Sequence, residues 1–325
     1  MRRLLSLCNP VYAAALAVKN HAYDRKWLRI RRLEWPVVSI GNLSVGGAGK
    51  TPVVMALARL LTANGIQADV LSRGYGRESR TVEQVDPGGD AKQFGDEPLL
   101  LAQAAGVPVY VGANRYQSGL VAEREVAGPR IHLLDDGFQH RQLARDMDIV
   151  LLHRDDFSQS LLPGGNLREP LSALQRASVV ILRKEDAHLE EQLRIHCQKK
   201  PIWYVKRTLM VPSGMGKVVA FCGIARPDEF FQALRQLQIE IVEAISFSDH
   251  HGYAEQDIRR LVQSISSAGG SVFLTTEKDF VRLSRTQKAQ LQGVAPVKVA
   301  RLEAHLQNQE AILSRISQLL LRPRS

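Results

Sequence analysis

The stretch from Gly41 to Pro52, reading GNLSVGGAGKTP, constrains the fold more than any other part of the chain. It follows the apolar run Val37-Val38-Ser39-Ile40 and precedes a helical pattern over 53–61. Strand, glycine-rich loop and helix start in that order make a cradle for an anion. Successive backbone N–H groups wrap phosphates, Lys50 neutralises the outer ones, and the Thr51 hydroxyl can ligate Mg²⁺. The strict pattern has Gly at position 44, where this chain has Ser44. Gly46, Gly47 and Gly49 permit the positive φ angles and close backbone approach that such a loop needs. Ser44, Val45, Gly46, Gly47, Ala48, Gly49, Lys50 and Thr51 are therefore the candidate residues for a nucleoside triphosphate.

The rest of the chain repeats the strand–helix alternation. Apolar strands are expected at 68–72, 107–111, 131–134, 149–152 and 179–182, with helices near 99–105 and 115–126. Fully apolar strands separated by helices imply a parallel sheet covered on both faces. Between Lys206 and Gly216 the texture shifts to Pro212, Gly214 and Gly216, which reads as a hinge. A second series then runs through strands at 218–222, 239–245, 272–275 and 297–299 and helices at 227–237 and 255–266, closed by a helix over 303–321. The expected organisation is an N-terminal basic, apolar segment (1–35), an α/β core of the P-loop NTPase type (36–210), and a smaller C-terminal α/β domain (211–325). Ligands of such sheets sit beyond the carboxyl ends of the strands, and each motif below lies at such an end.

Charge and cysteine content narrow the class. The chain has 325 residues, a net charge of +10 and only Cys8, Cys197 and Cys222, which are far apart and without metal spacing. A reducing, cytoplasmic setting and an anionic partner follow. The N-terminus carries Arg2 and Arg3, an apolar run over 11–18 and then Lys19, Arg25, Lys26, Arg29, Arg31 and Arg32 with Trp27 and Trp35 interleaved. Asn9-Pro10 breaks the apolar part, which falls short of the roughly 20 residues of a spanning helix. A cleaved signal peptide is not expected, because the phosphate loop follows so soon. Two readings fit: an amphipathic helix lying in an anionic membrane surface, or a helix packed on its own domain with a solvated basic face. Aromatic residues make up only 6%, too few for the base-stacking surface of a nucleic-acid-binding ATPase.

Several polar motifs carry the candidate chemistry. Ile131–Asp136 is an apolar strand ending in paired carboxylates, the second half expected of a Mg²⁺–nucleotide site. Gly137-Phe138-Gln139-His140-Arg141 continues it as a polar loop. Asp96 and Glu97 stand at a helix start, where they either act in the site or cap backbone amides. Arg168 and Glu169, in LPGGNLREP, suit a phosphate and Mg²⁺ or an exposed ion pair equally well. His250 and His251 follow a strand of the second series, with no cysteine or spaced histidine beside them to suggest zinc. Lys278 suits an anion or a solvated turn. Arg183-Lys184-Glu185-Asp186 keeps the Lys and Asp of a guanine-reading box but replaces its Asn, which favours ATP over GTP.

In order along the chain, SIGNLSVGGAGKTP, LSRGYGR, GDEP, LLDDGFQHR, LPGGNLREP, FCGIARPDEF, FSDHH and LTTEKD resemble the tetraacyldisaccharide 4′-kinase family of Gram-negative bacteria. Ser at position 44 is ordinary in that family. The resemblance implies transfer of the ATP γ-phosphate to the 4′-hydroxyl of tetraacyldisaccharide 1-phosphate, a lipid A precursor, at the cytoplasmic face of the inner membrane, with the N-terminus as peripheral anchor. It implies that Lys50 and the loop amides hold the phosphates, and that Thr51, Asp135 or Asp136, and Glu97 or Glu169 organise Mg²⁺. Asp96 becomes the proton acceptor. His250, with His251 as the alternative, becomes a partner that raises the basicity of Asp96, and the two domains close to bring them together. Gln139, His140, Arg168 and Arg73 become candidates for substrate contact. The rival reading is a switch-type P-loop GTPase or ATPase acting on a protein partner.

Overall fold

The structure, a computed structural model, describes residues 6–47 and 49–321. Ala48 of the phosphate loop and Arg2, Arg3, Leu4 and Leu5 of the basic, apolar N-terminus lie outside the described residues. Strands β1 (Val37–Asn42), β2 (Ala68–Ser72), β3 (Glu83–Gln84), β4 (Val109–Val111), β5 (Ile131–Asp135), β6 (Met147–Leu151), β7 (Val179–Arg183) and β8 (Ile202–Met210) build the first half. The second half adds β9 (Val218–Cys222), β10 (Ile241–Ser246), β11 (Val272–Thr276) and β12 (Val297–Leu306). All join one sheet in the order β10-β9-β11-β12-β8-β7-β6-β1-β5-β2-β4-β3. Pairing is parallel except for β8 with β12 and β3 with β4.

Helices α1 (Asn9–Asp24), α2 (Lys50–Ala63), α3 (Ala91–Phe94), α4 (Asp96–Ala104), α5 (Arg115–Glu125) and α6 (Glu190–Cys197) accompany the first half. Helices α7 (Pro227–Gln236), α8 (Glu255–Ser267), α9 (Glu277–Arg282), α10 (Arg285–Gln292) and α11 (Gln309–Ser317) follow. Every residue of β1, β2, β5, β6 and β7 is buried, as expected for strands roofed on both faces. Under α2, Val38, Ile40, Val54 and Leu57 share a core with Val70, Leu133 and Ile149, and Leu43, Phe138, Val150 and Leu174 fill the opposite face. The second half has its own cores, around Phe221, Phe273 and Leu261 on one face and Phe230, Phe231 and Leu234 on the other.

Three sequence expectations change. Residues 303–306 are strand, not the start of the closing helix: β12 runs to Leu306 because Arg301–Leu306 pair antiparallel with Val205–Met210. The expected hinge from Lys206 is likewise strand as far as Met210. That ladder welds the two halves into one sheet. Beyond it α11 returns to the first half, where Ile312 and Ile316 sit at 0% exposure in the core under α2. Third, Asn9-Pro10 starts α1 instead of breaking it. Proline suits the first turn, where its missing N–H costs nothing, and Asn9 Oδ1 accepts a hydrogen bond from the Gly164 N–H at 2.9 Å.

One buried charge network lies far from the phosphate loop. His132 on β5 meets Asp69 Oδ1 through Nδ1 at 2.7 Å and Glu123 Oε1 through Nε2 at 3.3 Å, and Arg130 reaches Asp69 Oδ2 at 3.3 Å. Burial alone would favour a neutral imidazole, but the charges and hydrogen bonds of Asp69 and Glu123 win and push His132 up to about 9. A pKa raised on folding stabilises the fold fully below the unfolded value near 6.5, and that contribution is lost as pH rises to about 9. His132→Gln is therefore expected to destabilise the protein by a few kcal/mol at pH 6 and by much less at pH 9.5. Thermal midpoints across that range test this. A gap that does not narrow would show that His132 is neutral when folded.

Candidate active site

The phosphate loop has the backbone its glycines allow. Gly46 (φ +99) and Gly49 (φ +86) adopt left-handed conformations, whereas Gly47 does not, so only two of the three use that freedom. Gly49 is the N-cap of α2, which leaves its first N–H groups free to face an anion. Ser44, where the strict motif has Gly, is buried and pinned: Asn42 Nδ2 donates to its carbonyl at 2.8 Å, and it bridges to Leu167. The Val45 N–H donates to the Asn166 carbonyl at 2.7 Å and the Arg168 N–H to the Leu43 carbonyl at 2.7 Å. The LPGGNLREP segment thus straps the loop from outside, which is why its Arg and Glu stand close to the site.

Lys50 Nζ donates to Asn42 Oδ1 at 3.0 Å and lies 3.3 Å from Asp136 Oδ1. Arg168 grips Asp136 with both ends of its guanidinium, at 2.9 and 2.8 Å. Burial opposes the charge on Asp136, but Arg168 and Lys50 outweigh it and hold its carboxyl well below the usual range. Asp135 is the reverse case. It is 3% exposed and accepts from the Ser72 hydroxyl at 3.1 Å, while its Oδ1 has no hydrogen-bond partner among the described residues. Burial, then the charges of Glu97 and Asp136, push it up to about 7. A buried carboxylate this short of positive charge fits a divalent cation. Among the described residues no three of His, Cys, Asp and Glu form a metal cage by themselves. Magnesium, which keeps waters and substrate phosphates as ligands, does not need one.

Asp96 and Glu97 open α4 and reach across to the second half. Asp96 Oδ2 meets His250 Nδ1 at 3.0 Å and Arg282 Nε at 2.7 Å, and its Oδ1 accepts the Glu97 N–H at 2.9 Å. Arg282 is fixed in turn by Asp279 at 3.1 Å and the Gly223 carbonyl at 2.6 Å. Burial raises the proton affinity of Asp96, yet the His250 hydrogen bond and the Arg282 charge bring its carboxyl well below the usual range. This corrects the expected effect of His250. A donor that becomes more basic beside Asp96, as His250 does, stabilises the ionised carboxylate and lowers its basicity. Its effect is to keep Asp96 charged and oriented. Glu97 pairs with Lys278 of α9, so Lys278 is neither a solvated turn nor free for an anion. Lys50 is close enough to act on the Glu97 carboxyl, which puts these residues in one cleft with the phosphate loop.

The other candidates separate. His251 bonds Asp257 at 2.9 Å and stacks on Phe247, away from Asp96. Glu169 does not join the carboxylate group: its oxygens go to Arg176 at 2.8 and 3.0 Å, Gln139 at 3.1 Å and Asn20 at 3.2 Å. Gln139 also donates to the Asn42 carbonyl at 3.0 Å, so it ties the loops together. His140 is held neutral, down at about 3, by burial and then by Arg115, Arg145, Arg73 and Lys19. Arg73 and His140 thus share a cationic flank with the buried Arg115. Arg115, Arg176, Arg282 and Asn42 escaped the sequence reading: Asn42 stands inside the loop motif without a signal of its own, and the Asp96 partner of Arg282 is 186 residues away.

With this geometry in hand, relatives supply the family. The family model described as tetraacyldisaccharide-1-P 4′-kinase matches residues 1–321. A protein named tetraacyldisaccharide 4′-kinase from Koribacter versatilis is 45% identical over 323 residues, 96% of this chain and 97% of that one. One of the same name from Aquifex aeolicus is 37% identical over 290 residues, 84% of this chain and 87% of that one. A crystal structure of the Aquifex aeolicus protein, an "apo" form in complex with ATP, superposes with a TM-score of 0.79 at 33% identity, covering 98% of this chain and 99% of that one. The chain belongs to the tetraacyldisaccharide-1-P 4′-kinase family.

Proposed function

We propose that this protein transfers the γ-phosphate of ATP to the 4′-hydroxyl of tetraacyldisaccharide 1-phosphate while resting on the cytoplasmic face of the inner membrane. The observation that carries this reading is the juxtaposition of the Lys50 loop with a buried, ionised Asp96 across one cleft. Loop N–H groups and Lys50 neutralise the β- and γ-phosphates. Asp135, Asp136, Glu97 and Thr51 would hold Mg²⁺, which supplies charge neutralisation of the phosphates when bound. The sugar hydroxyl oxygen forms the new bond to Pγ, the Pγ–O bond to ADP breaks, and the hydroxyl proton passes to the Asp96 carboxylate. His250 and Arg282 orient that carboxylate. Arg73 and His140, on the cationic flank with Arg115, suit an anionic acceptor, and Arg168 steadies Asp136.

Helix α1 supports the membrane part. Asn20 and buried Tyr23 face the protein, as does Tyr12, whose hydroxyl donates to the Arg168 carbonyl at 2.9 Å. On the helix Val11 and Val18, and just ahead of it Leu7, point outward at 72%, 70% and 76% exposure. Exposed apolar residues on a helix that leads into exposed Lys19, Arg25, Lys26 and Arg29 suit an anionic bilayer better than water. Among the described residues no helix is long and apolar enough to cross a membrane.

The test is transfer of label from γ-labelled ATP with Mg²⁺ to tetraacyldisaccharide 1-phosphate in detergent micelles. Labelled lipid is expected. Free phosphate released from ATP or GTP with no labelled lipid would sink the kinase reading and favour a switch-type NTPase. Run with anionic vesicles, the same assay tests the helix: the protein should float with them, and Val11→Asp with Val18→Asp should not. Equal flotation of both would overturn the anchor.

A further inference from the structure

Two arginines outside the carboxylate cluster stand on the opposite flank of the phosphate loop. Arg183 closes β7 and Arg207 lies on β8, on the side of β1 away from the Asp135 strand. Arg207 Nη1 is 3.2 Å from the point where a Cβ on Gly49 would stand. The two side chains are only 7% and 14% exposed. Even so, Arg183 Nε and Nη2 and Arg207 Nε are buried without a hydrogen-bond partner among the described residues.

The carboxylate nearest them is overcommitted. Glu229 of α7 reaches Arg183 at 3.5 Å and Arg207 at 3.4 Å, both long for a charge-assisted hydrogen bond of about 2.8 Å. Its other oxygen serves Arg226 at 3.0 Å and the buried His153 at 3.2 Å. Asp155 neutralises Arg226 at 3.0 Å, and Glu185 and Asp186 act on Arg207 and Arg183 only through space. Burial first, then the charge of Arg207, lowers Arg183 to about 10, and burial likewise lowers Arg207 against the pull of Glu229 and Glu185. The cluster buries more N–H donors than it has acceptors, an arrangement that an added anion relieves.

The direction of the nucleotide indicates which anion. Asp135, Asp136 and Glu97 would hold a metal ion, and with it the outer phosphates, on the β5 side of the loop. The phosphate next to the ribose then falls on the other side, beside Gly49. We propose that Arg183 and Arg207 form a second anion subsite for the ribose-proximal phosphate, and that Glu229 is the counter-ion this phosphate displaces. The inference deepens the ATP-dependent reading above and rests on it. It also links binding to the second half, since Glu229 belongs to α7 and its neighbour Ala225 lies 3.5 Å from a Cβ position on Gly46. Nucleotide entry would exchange an inter-lobe ion pair for a phosphate contact.

The experiment is calorimetric titration of ADP, without lipid acceptor, into wild type, Arg207→Gln, Arg183→Gln and Glu229→Gln. The arginine variants should weaken ADP binding about tenfold or more, and Arg207→Lys should recover part of that loss. Glu229→Gln should tighten binding several-fold, because the competing carboxylate is gone. A purely structural ion cluster cannot produce that opposite sign. Unchanged affinity in the arginine variants, or weaker binding in Glu229→Gln, would overturn the subsite, and the Glu229→Gln arm decides it if the arginine variants fail to fold. A protein that binds ADP in this way but labels no lipid would sink the lipid-kinase reading alone.

Discussion

Asp96→Asn is expected to lower kcat for lipid phosphorylation by about 10²- to 10⁴-fold while changing the ATP KM by no more than about threefold. The substitution keeps the side-chain volume and one acceptor oxygen but removes the ability to take a proton. In the wild type every contact to the carboxylate, from the Glu97 N–H, His250 and Arg282, favours the charged form. Asp96 therefore sits ionised and fixed in the cleft at any pH where the enzyme works. What it gives up in basicity it gains in being present, charged and aimed. Because it stands apart from the phosphate loop's own hydrogen bonds, ATP affinity should survive its loss.

The same variant carries a stability effect that must be read separately. Arg282 is 7% exposed and keeps Asp279 when Asp96 is neutralised, so the fold should survive with a destabilisation of up to about 3 kcal/mol. His250, whose side chain is 36% exposed, should cost only about tenfold in kcat on replacement by Ala, as expected for a group that orients another. Steady-state kinetics with thermal midpoints on the two variants separate these effects. An Asp96→Asn protein within threefold of the wild-type rate would remove Asp96 from the chemistry.

Local grammar explains which parts of this site were legible in the chain. The sequence from Val37 to Leu61 carries strand, loop and helix in one continuous run, and Ile131–Asp136 announces its own carboxylates. The strands of the second half were readable for the same reason, being apolar runs bounded by turn residues. Pairings across the sheet were not. Glu303 and His305 make β12 look polar enough for a helix, although Leu302, Ala304 and Leu306 alternate with them in the period of two that a strand requires. The meaning of Glu303 and His305 appears only once Thr208 and Lys206 are known to lie opposite. The contacts of Arg282 with Asp96 and of Lys278 with Glu97 span 186 and 181 residues, a separation at which spacing carries no information. Glu169 shows the converse: its place in a motif beside Arg168 suggested a metal ligand, and its actual partner, Arg176, sits only seven residues further along.

Lys50→Ala should lower kcat/KM for ATP by about 10²- to 10³-fold, the loss expected when one preorganised positive charge is taken from the phosphates in phosphoryl transfer. The free protein should barely notice. Asp136 keeps its two-pronged contact with Arg168, and Asn42 Oδ1 keeps Arg168 as a donor, so no buried charge is stranded. An unchanged thermal midpoint beside a collapsed kcat/KM would separate phosphate binding from folding. ADP affinity should fall less than ATP affinity, since the ammonium serves the outer phosphates. Lys50→Arg should not restore the rate. The loop is already flanked by Arg168 and Arg207, and a planar fork cannot take the place of a compact ammonium between Asn42 and Asp136. If Lys50→Ala retained a third or more of wild-type kcat/KM, the loop would not be gripping the transferred phosphate, and the anion would have to be held by those flanking arginines instead.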